Sequence, residues 1–278
     1  MLLLKGKEPA QKILDSLRED VRALDPKLVV IQVGNDPSSE SYIRKKLESC
    51  AAIGMRCEKK KLSEQTSAED MLQLIRKLNE DPDVTGFIIQ LPLPAHLEKQ
   101  QPQLFREIDP KKDVDGFTAY NVGKLFLAKE FEHLPPATPA GVIELLQYYR
   151  LPIEGKHAVV VGQSNIVGKP LSIMLMHRGA TVTMCHDKTL DLARFTKQAD
   201  ILISAVGKPG LITRDMVSDG VVVIDVGITK TEQGLLGDVD FYEIAKVASA
   251  ITPVPGGVGP MTVACLLRNL ICARRRQI

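Results

Sequence analysis

The stretch Ala158-Val-Val-Val-Gly-Gln-Ser-Asn-Ile-Val-Gly-Lys-Pro170 constrains the fold of this chain more than any other. Small and β-branched apolar residues run up to Gly162. A polar loop follows, and Gly168 and Pro170 open a second apolar run, Leu171-Ser-Ile-Met-Leu-Met176. That order reads as buried strand, tight loop and helix start, the βα turn of a parallel sheet. Proline suits a first helical turn because the N–H it lacks would have no helical partner there. Gly162 and Gly168 let the main chain turn sharply and approach a ligand closely. Ser164 stands where a full G-x-G-x-x-G has its second glycine. The segment therefore predicts either a dinucleotide pyrophosphate held at a helix N-terminus or an ordinary strand-to-helix turn.

The rest of the chain repeats the alternation. Apolar spacing predicts a helix over residues 9–24, with Ile13, Leu14, Leu17, Val21 and Leu24 on one face. A buried strand over 28–33 is broken by Gly34, and Ser38 or Ser39 can cap a helix running to about Ile53, where Gly54 ends it. A polar strand over 55–62 reads as an edge. A helix opened by Ser67 leads to a strand over 86–90, stopped by Leu91-Pro-Leu-Pro94. After a helix over 118–128, the proline-bearing connector 131–139 is the candidate domain boundary. A helix over 140–149 leads into the Gly162 unit. Strands over 181–185, 201–205 and 221–226, a helix over 190–197 and a last helix over 263–275 complete the chain. The class is α/β with parallel sheets.

Bulk composition excludes several functions. Among 278 residues, 44% are hydrophobic and 25% charged, the balance of a globular protein. A net charge of +2 gives no reason to invoke nucleic acid or an acidic membrane surface. No apolar run approaches the roughly 20 residues that span a bilayer, and Lys5 cuts short Met1-Leu-Leu-Leu4, so no signal peptide is expected. Five cysteines without C-x-x-C spacing and five histidines without H-x-x-x-H spacing predict free thiols, a reducing cytoplasm and no metal site.

In a parallel sheet, ligands gather beyond the C-terminal ends of the strands. Three loops qualify: after Val33, after Gln90, and around Asp113-Val-Asp-Gly116. Tyr42 and Lys46 follow the first, one helical turn apart on one face. A lysine in a desolvated pocket titrates near neutrality and can move protons. Taken alone, Arg44, Lys45 and Lys46 read better as a solvated basic face. Gln90 can orient a lysine or a substrate through its amide, or simply satisfy the turn. Asp113 and Asp115 can accept from an amino-bearing heterocycle or shape an Asx-type turn; Lys111 breaks any EF-hand pattern. Thr252-Pro-Val-Pro-Gly-Gly-Val-Gly-Pro-Met-Thr262 is a rigid loop of open backbone.

Six motifs in this order resemble the bifunctional methylenetetrahydrofolate dehydrogenase/methenyltetrahydrofolate cyclohydrolase family: Tyr42-x-x-x-Lys46, Gln90-Leu-Pro-Leu-Pro94, Lys112-Asp-Val-Asp-Gly-Phe117, Thr138-Pro-Ala-Gly141, Gly162-x-Ser-x-x-Val-Gly-x-Pro170 and the 252–262 loop. The resemblance implies two domains around a cleft. Residues 1–136 with the returning helix 263–278 would bind folate, and 137–262 would be a Rossmann-like domain for NADP or NAD. It implies a homodimer. It assigns Lys46 to the cyclohydrolase step, Tyr42 to stacking on the aminobenzoyl ring, Gln90 to tuning the lysine and Asp115 to holding the pterin. Leu91, Pro255 and Gly256 join the folate site by the same likeness. Gly162, Gln163, Ser164, Val167, Gly168, Pro170, Asp187 and Ile228 are the expected cofactor contacts.

Two departures bear on the cofactor. The family usually has arginine at Gln163 and serine at Asp187, positions that help hold the 2′-phosphate of NADP. Asp187 stands 25 residues after Gly162, about where an acid bonds the ribose 2′-OH in NAD sites. The expectation is that NAD is favoured or NADP preference relaxed, with Lys188 or Arg178 able to offset the lost charge. Ala137, often cysteine in the family, should affect packing only. A monofunctional dehydrogenase would lack Lys46, and a non-catalytic nucleotide-binding module would have no use for Lys46, Gln90 and Asp115 together.

Overall fold

The structure, a computed structural model, describes residues 1–232 and 234–278, with the side chain of Ser38 also outside the description. The strands are β1 (Leu2–Leu3), β2 (Lys27–Val33), β3 (Arg56–Leu62), β4 (Gly86–Ile89), β5 (His157–Val161), β6 (Thr181–Cys185), β7 (Ile201–Ser204), β8 (Val222–Asp225), β9 (Thr229–Thr231), β10 (Gly234–Leu236) and β11 (Ala250–Ile251). The helices are α1 (Lys7–Ser16), α2 (Arg18–Leu24), α3 (Pro37–Ile53), α4 (Ala68–Glu80), α5 (Ala95–Glu98), α6 (Gln101–Glu107), α7 (Ala119–Leu127), α8 (Ala137–Tyr148), α9 (Gly168–Met176), α10 (Leu192–Thr196), α11 (Phe241–Ile244) and α12 (Val258–Gln277). They form two units, Lys12–Ala137 with Val263–Ile278, and Met1–Gln11 with Thr138–Thr262.

The first of these is built on a three-stranded parallel sheet of order β3-β2-β4. The central strand, Lys-Leu-Val-Val-Ile-Gln-Val, is buried from Leu28 onward, as a strand covered on both faces must be. The chain leaves β2 through α3 to one neighbour, then returns through α4 to the other. Right-handed crossovers in opposite directions place the two helices on opposite faces. Packing agrees. Val29, Ile31 and Val33 join Phe87, Ile89 and the α4 residues Met71, Leu72, Ile75 and Leu78 in one core. Leu28, Val30 and Gln32 point the other way, in register with Cys57, Lys59 and Lys61 of β3. Lys59 and Lys61 reach Glu40 of α3 at 2.6 and 3.1 Å, so α3 covers this second face. The lysine-rich β3 is the edge strand that its composition predicts.

Local chemistry sets the ends of α3 and α4. Asp36 caps α3, accepting from the Ser39 N–H at 2.7 Å, with Pro37 in the first turn. The cap is therefore not Ser39, as the sequence reading allowed; the other candidate, Ser38, lies outside the described side chains. Gly54 ends the helix at φ +76°. Ser67 and Asp70 form a reciprocal capping box on α4. The expected single helix over 9–24 is two, divided at Leu17.

The other unit holds a six-stranded parallel sheet of order β1-β11-β8-β7-β5-β6, with a small β9–β10 hairpin beside it in sequence. Its core includes Val159, Val161, Leu202, Val223, Ile244 and Ile251. The sequence division at 1–136 differs here: β1 pairs with β11 through Leu2↔Ala250 and Leu3↔Ile251, so Met1–Gln11 groups with the dinucleotide-type sheet.

Candidate functional site

Lys46 is buried, at 9% exposure, on the face of α3 that covers the sheet. Its neighbours Arg44 and Lys45 are exposed. The solvated-face reading thus holds for those two and fails for Lys46. Ile43, Lys46, Cys50 and Ile53 fall at i, i+3, i+7 and i+10, and all four are buried. Lys46 occupies a core position of an amphipathic stripe. That spacing was available in the sequence as a signal against the surface reading.

The Lys46 Nζ donates to Gln90 Oε1 at 2.9 Å. Gln90 Nε2 donates to the Leu91 carbonyl at 2.7 Å, which fixes the amide with its oxygen toward the lysine. The Gln90 backbone N–H donates to Ile31 O at 2.9 Å, the bond that closes the last row of the β4–β2 ladder, Ile31 with Ile89. Burial holds the Lys46 ammonium below the usual lysine value of 10.5, opposed by nearby Asp115, Cys57 and Cys50. Neither cysteine entered the sequence reading of this site. Tyr42, half-buried one turn earlier on α3, has its hydroxyl pushed above 10.0 by burial.

The two acids of the third loop divide their duties. Asp113, 1% exposed, accepts from the N–H groups of Gly116, Phe117 and Thr118 at 2.9, 3.1 and 2.8 Å and from Asn121 Nδ2 at 2.9 Å. It is the turn-forming acid. Asp115 is half-buried and accepts no hydrogen bond from the described residues. Burial lifts its carboxyl from 3.8 to about 6, with Lys46 opposing and Asp113 adding to the rise. Gly116 must be glycine here: φ is +74° and a Cβ would lie 2.5 Å from Leu134 O. Asn269 of α12 donates to Val114 O and Pro135 O, at 2.9 and 2.8 Å, and clamps the loop. Lys112 is also structural, its Nζ donating to Leu78 O and Asp81 O at 2.8 and 2.6 Å. The unit thus brings together Lys46, Gln90, Leu91 and Asp115, a desolvated amine beside a carboxyl with open acceptor capacity.

The glycine turn lies in the other unit, between β5 and α9. Gly162 has φ +116°, and a Cβ there would stand 2.4 Å from Ala205 O. A Cβ on Gly168 would stand 1.8 Å from Gly162 O. Ser164 Oγ accepts from the N–H groups of Val167 and Gly168 at 3.1 and 3.4 Å, so two donors expected to serve an anion are used within the loop. The N–H groups of Ser164, Asn165 and Ile166 carry no hydrogen bond among the described residues. Three open donors on a glycine-bounded loop at a helix start fit a pyrophosphate. Gln163 and Asp187 are exposed, and Val167 and Ile228 half-buried. Asp187 carries an ion pair with Lys188 at 3.0 Å, whereas Arg178 turns back to Met174 O at 2.8 Å. Pro255 and Gly256 sit exposed in this same unit, Gly256 at φ +106°.

A buried acidic pair, missed in the sequence, supports the strand ends of this unit. Asp238 accepts from Ser204 Oγ and from the N–H groups of Val206 and Lys208 at 2.7–2.8 Å. Asp225 accepts from Gly227, Asp238 and Val239. Burial dominates over those bonds and raises the Asp225 carboxyl to about 7.

Residues 4–115 match the model for the tetrahydrofolate dehydrogenase/cyclohydrolase catalytic domain, and residues 136–278 that for the NAD(P)-binding domain of the same family. The chain is 49% identical over 287 residues to the Bifunctional protein FolD of Oleidesulfovibrio alaskensis, across 100% of this chain and 99% of that one. The crystal structure of the bifunctional FolD methylenetetrahydrofolate dehydrogenase/cyclohydrolase from Campylobacter jejuni superposes with a TM-score of 0.93 at 44% identity, covering 100% of both chains. The Trypanosoma brucei enzyme complexed with NADP cofactor and inhibitor gives 0.93 at 35% identity, over 99% of this chain and 98% of that one.

Proposed function

The chain belongs to the tetrahydrofolate dehydrogenase/cyclohydrolase family, and from that premise we propose that Lys46 carries the proton in the second of its two reactions. The enzyme oxidises 5,10-methylenetetrahydrofolate to the 5,10-methenyl cation and hydrolyses that cation to 10-formyltetrahydrofolate. The observation that carries the assignment is a buried lysine amine, its pKa lowered by desolvation, bonded to Gln90 at 2.9 Å and within the field of Asp115.

The two steps ask different things of the protein. A bound nicotinamide dinucleotide supplies the electron-pair acceptor for the oxidation, which the chain assists by positioning rather than by a base. Hydrolysis needs a proton carrier. Water oxygen bonds to the methenyl carbon while one water proton passes to the neutral Lys46 amine. That proton then goes to the ring nitrogen as its bond to the carbon breaks, while the adduct's hydroxyl gives its own proton to solvent and its oxygen becomes the formyl carbonyl, so the net reaction releases one proton. Gln90 holds the amine in place, and a cationic substrate further lowers the lysine's affinity for its proton. Asp115 accepts from the amino-bearing pterin, and Tyr42 offers its ring to the aminobenzoyl group. Leu91, on the same unit, joins these folate contacts. Lys46→Gln should keep oxidation of the methylene substrate and slow methenyl hydrolysis by about a hundredfold or more. Loss of both activities in a folded variant would remove Lys46 from this role.

For the cofactor, the N–H donors of Ser164 to Ile166 would hold the pyrophosphate, with Gly162, Gly168 and Pro170 shaping the turn and Val167 and Ile228 flanking it. Gln163 brings no charge, and Asp187 brings a negative one that Lys188 only partly offsets. A phosphate dianion is disfavoured beside a carboxylate, so NAD is favoured or NADP preference relaxed. Comparing kcat/KM for the two cofactors tests this; a large advantage for NADP would defeat it.

A further inference from the structure

We propose that Gln32 is a positioning residue for methenyl hydrolysis, its amide serving as the second hydrogen-bond acceptor for Lys46 when the lysine holds the proton. The inference rests on the assignment of Lys46 as proton carrier and extends it to a residue that nothing in the motifs marks.

Gln32 interrupts an otherwise apolar strand, Leu-Val-Val-Ile-Gln-Val, and is 1% exposed. Neither Oε1 nor Nε2 has a hydrogen-bond partner within the described residues. A buried amide left in that state costs stability, and an apolar residue of the same length would not. Its placement supplies the reason for keeping it. Ile31 pairs with Ile89 in the last row of the ladder, closed by the bond from the Gln90 N–H to Ile31 O, so the residues that follow, Gln32 and Gln90, leave the ends of adjacent parallel strands side by side. In a parallel pair both side chains of a row leave the same face, about 5 Å apart. Gln32 is therefore on the face that α3 covers, next to the amide that already holds Lys46 at 2.9 Å.

The chemistry calls for such a group. An ammonium has three donors, and Gln90 takes one. The neutral amine makes fewer demands. A second amide oxygen within side-chain reach is engaged in the protonated state and idle in the neutral one, which favours proton uptake from water at the start of hydrolysis. The other titratable groups acting on Lys46 are Asp115 from the loop, Cys57 from β3 and Cys50 from α3. Across the row on β3, Gln32 faces Lys61, whose ammonium is held by Glu40 at 3.1 Å. Asp115 acts as a charge and a thiol sulfur is only a weak acceptor, so none of these offers a neutral amide-type oxygen.

The test uses Gln32→Met, which keeps length and removes both polar atoms, and Gln32→Glu, which strengthens the acceptor. The readouts are the pH profiles of hydrolysis and of oxidation, and the melting temperature. Gln32→Met should move the acid limb of hydrolysis down by about one pH unit and lower its plateau, with no matching shift in oxidation and no fall in melting temperature. Gln32→Glu should move the limb up. A hydrolysis profile that stays in place in either folded variant, or a fold lost in both, overturns the proposal and leaves Gln32 a structural residue. Lys46→Gln is assayed alongside. If that variant still hydrolyses the methenyl substrate, the assignment of Lys46 fails, and the two failures are told apart.

Discussion

Asp113 and Asp115 are two residues apart and have opposite environments. Four donors converge on Asp113 and satisfy its oxygens in the interior. No donor from the described chain reaches Asp115, and desolvation lifts it from 3.8 to about 6. A raised acid contributes favourably only while it is protonated. That contribution is full below pH 3.8 and is lost as pH climbs through about 6. At neutral pH the ionised Asp115 is thus a cost to the fold. Asp115→Asn should stabilise the protein above pH 6 by on the order of 1 kcal/mol, less than the full shift implies because solvent still reaches the carboxyl. Below pH 4 the variant should gain nothing. Thermal melts across pH 4–8 measure the difference, and a gain that is flat with pH would show that Asp115 ionisation is not its source. Folate affinity should fall in the same variant.

The elements that hold the site were legible where a local chemical signal marks them. Strand β2 announces itself by a run of β-branched residues, α4 by its Ser67–Asp70 box, and the end of α3 by Gly54. The starts of α8 and α12 were read too late for a shared reason. Pro139 and Pro260 looked like interruptions, yet each sits in a first turn, where proline costs no hydrogen bond, so these helices begin at Ala137 and Val258. Strands β1 and β11, two residues each, are too short for any periodicity and exist only through pairing about 250 residues apart in sequence. The burial of Lys46 was present as spacing but masked by charge in Arg44-Lys45-Lys46. Which of two acids on one turn is spent on the backbone is a matter of three-dimensional donors. No sequence pattern carries it, and the Asp225–Asp238 network and the orphaned amide of Gln32 stayed hidden for the same reason.

At the scale of the whole molecule, the residues proposed for the two reactions fall on different units. The Gly162 turn belongs with the six-stranded sheet, and Lys46, Gln90 and Asp115 belong with the three-stranded one. The requirements should be separable by substitution. Gly162→Ala puts a Cβ 2.4 Å from Ala205 O in a residue at φ +116°, which forces the loop away from its shape. It should remove cofactor-dependent oxidation and spare methenyl hydrolysis, because Lys46, Gln90 and Asp115 belong to the other unit. Lys46→Gln should do the reverse. Each purified variant alone should then fail to convert methylenetetrahydrofolate to the 10-formyl product, and an equal mixture should succeed. The methenyl intermediate must leave one molecule and enter another, so the mixture should show a lag and a transient rise in methenyl absorbance larger than the unaltered enzyme gives. A mixture that makes no 10-formyl product, with each variant retaining its single activity, would mean that hydrolysis requires the intermediate to stay where it was formed, and the two sets of residues would have to be counted as one site.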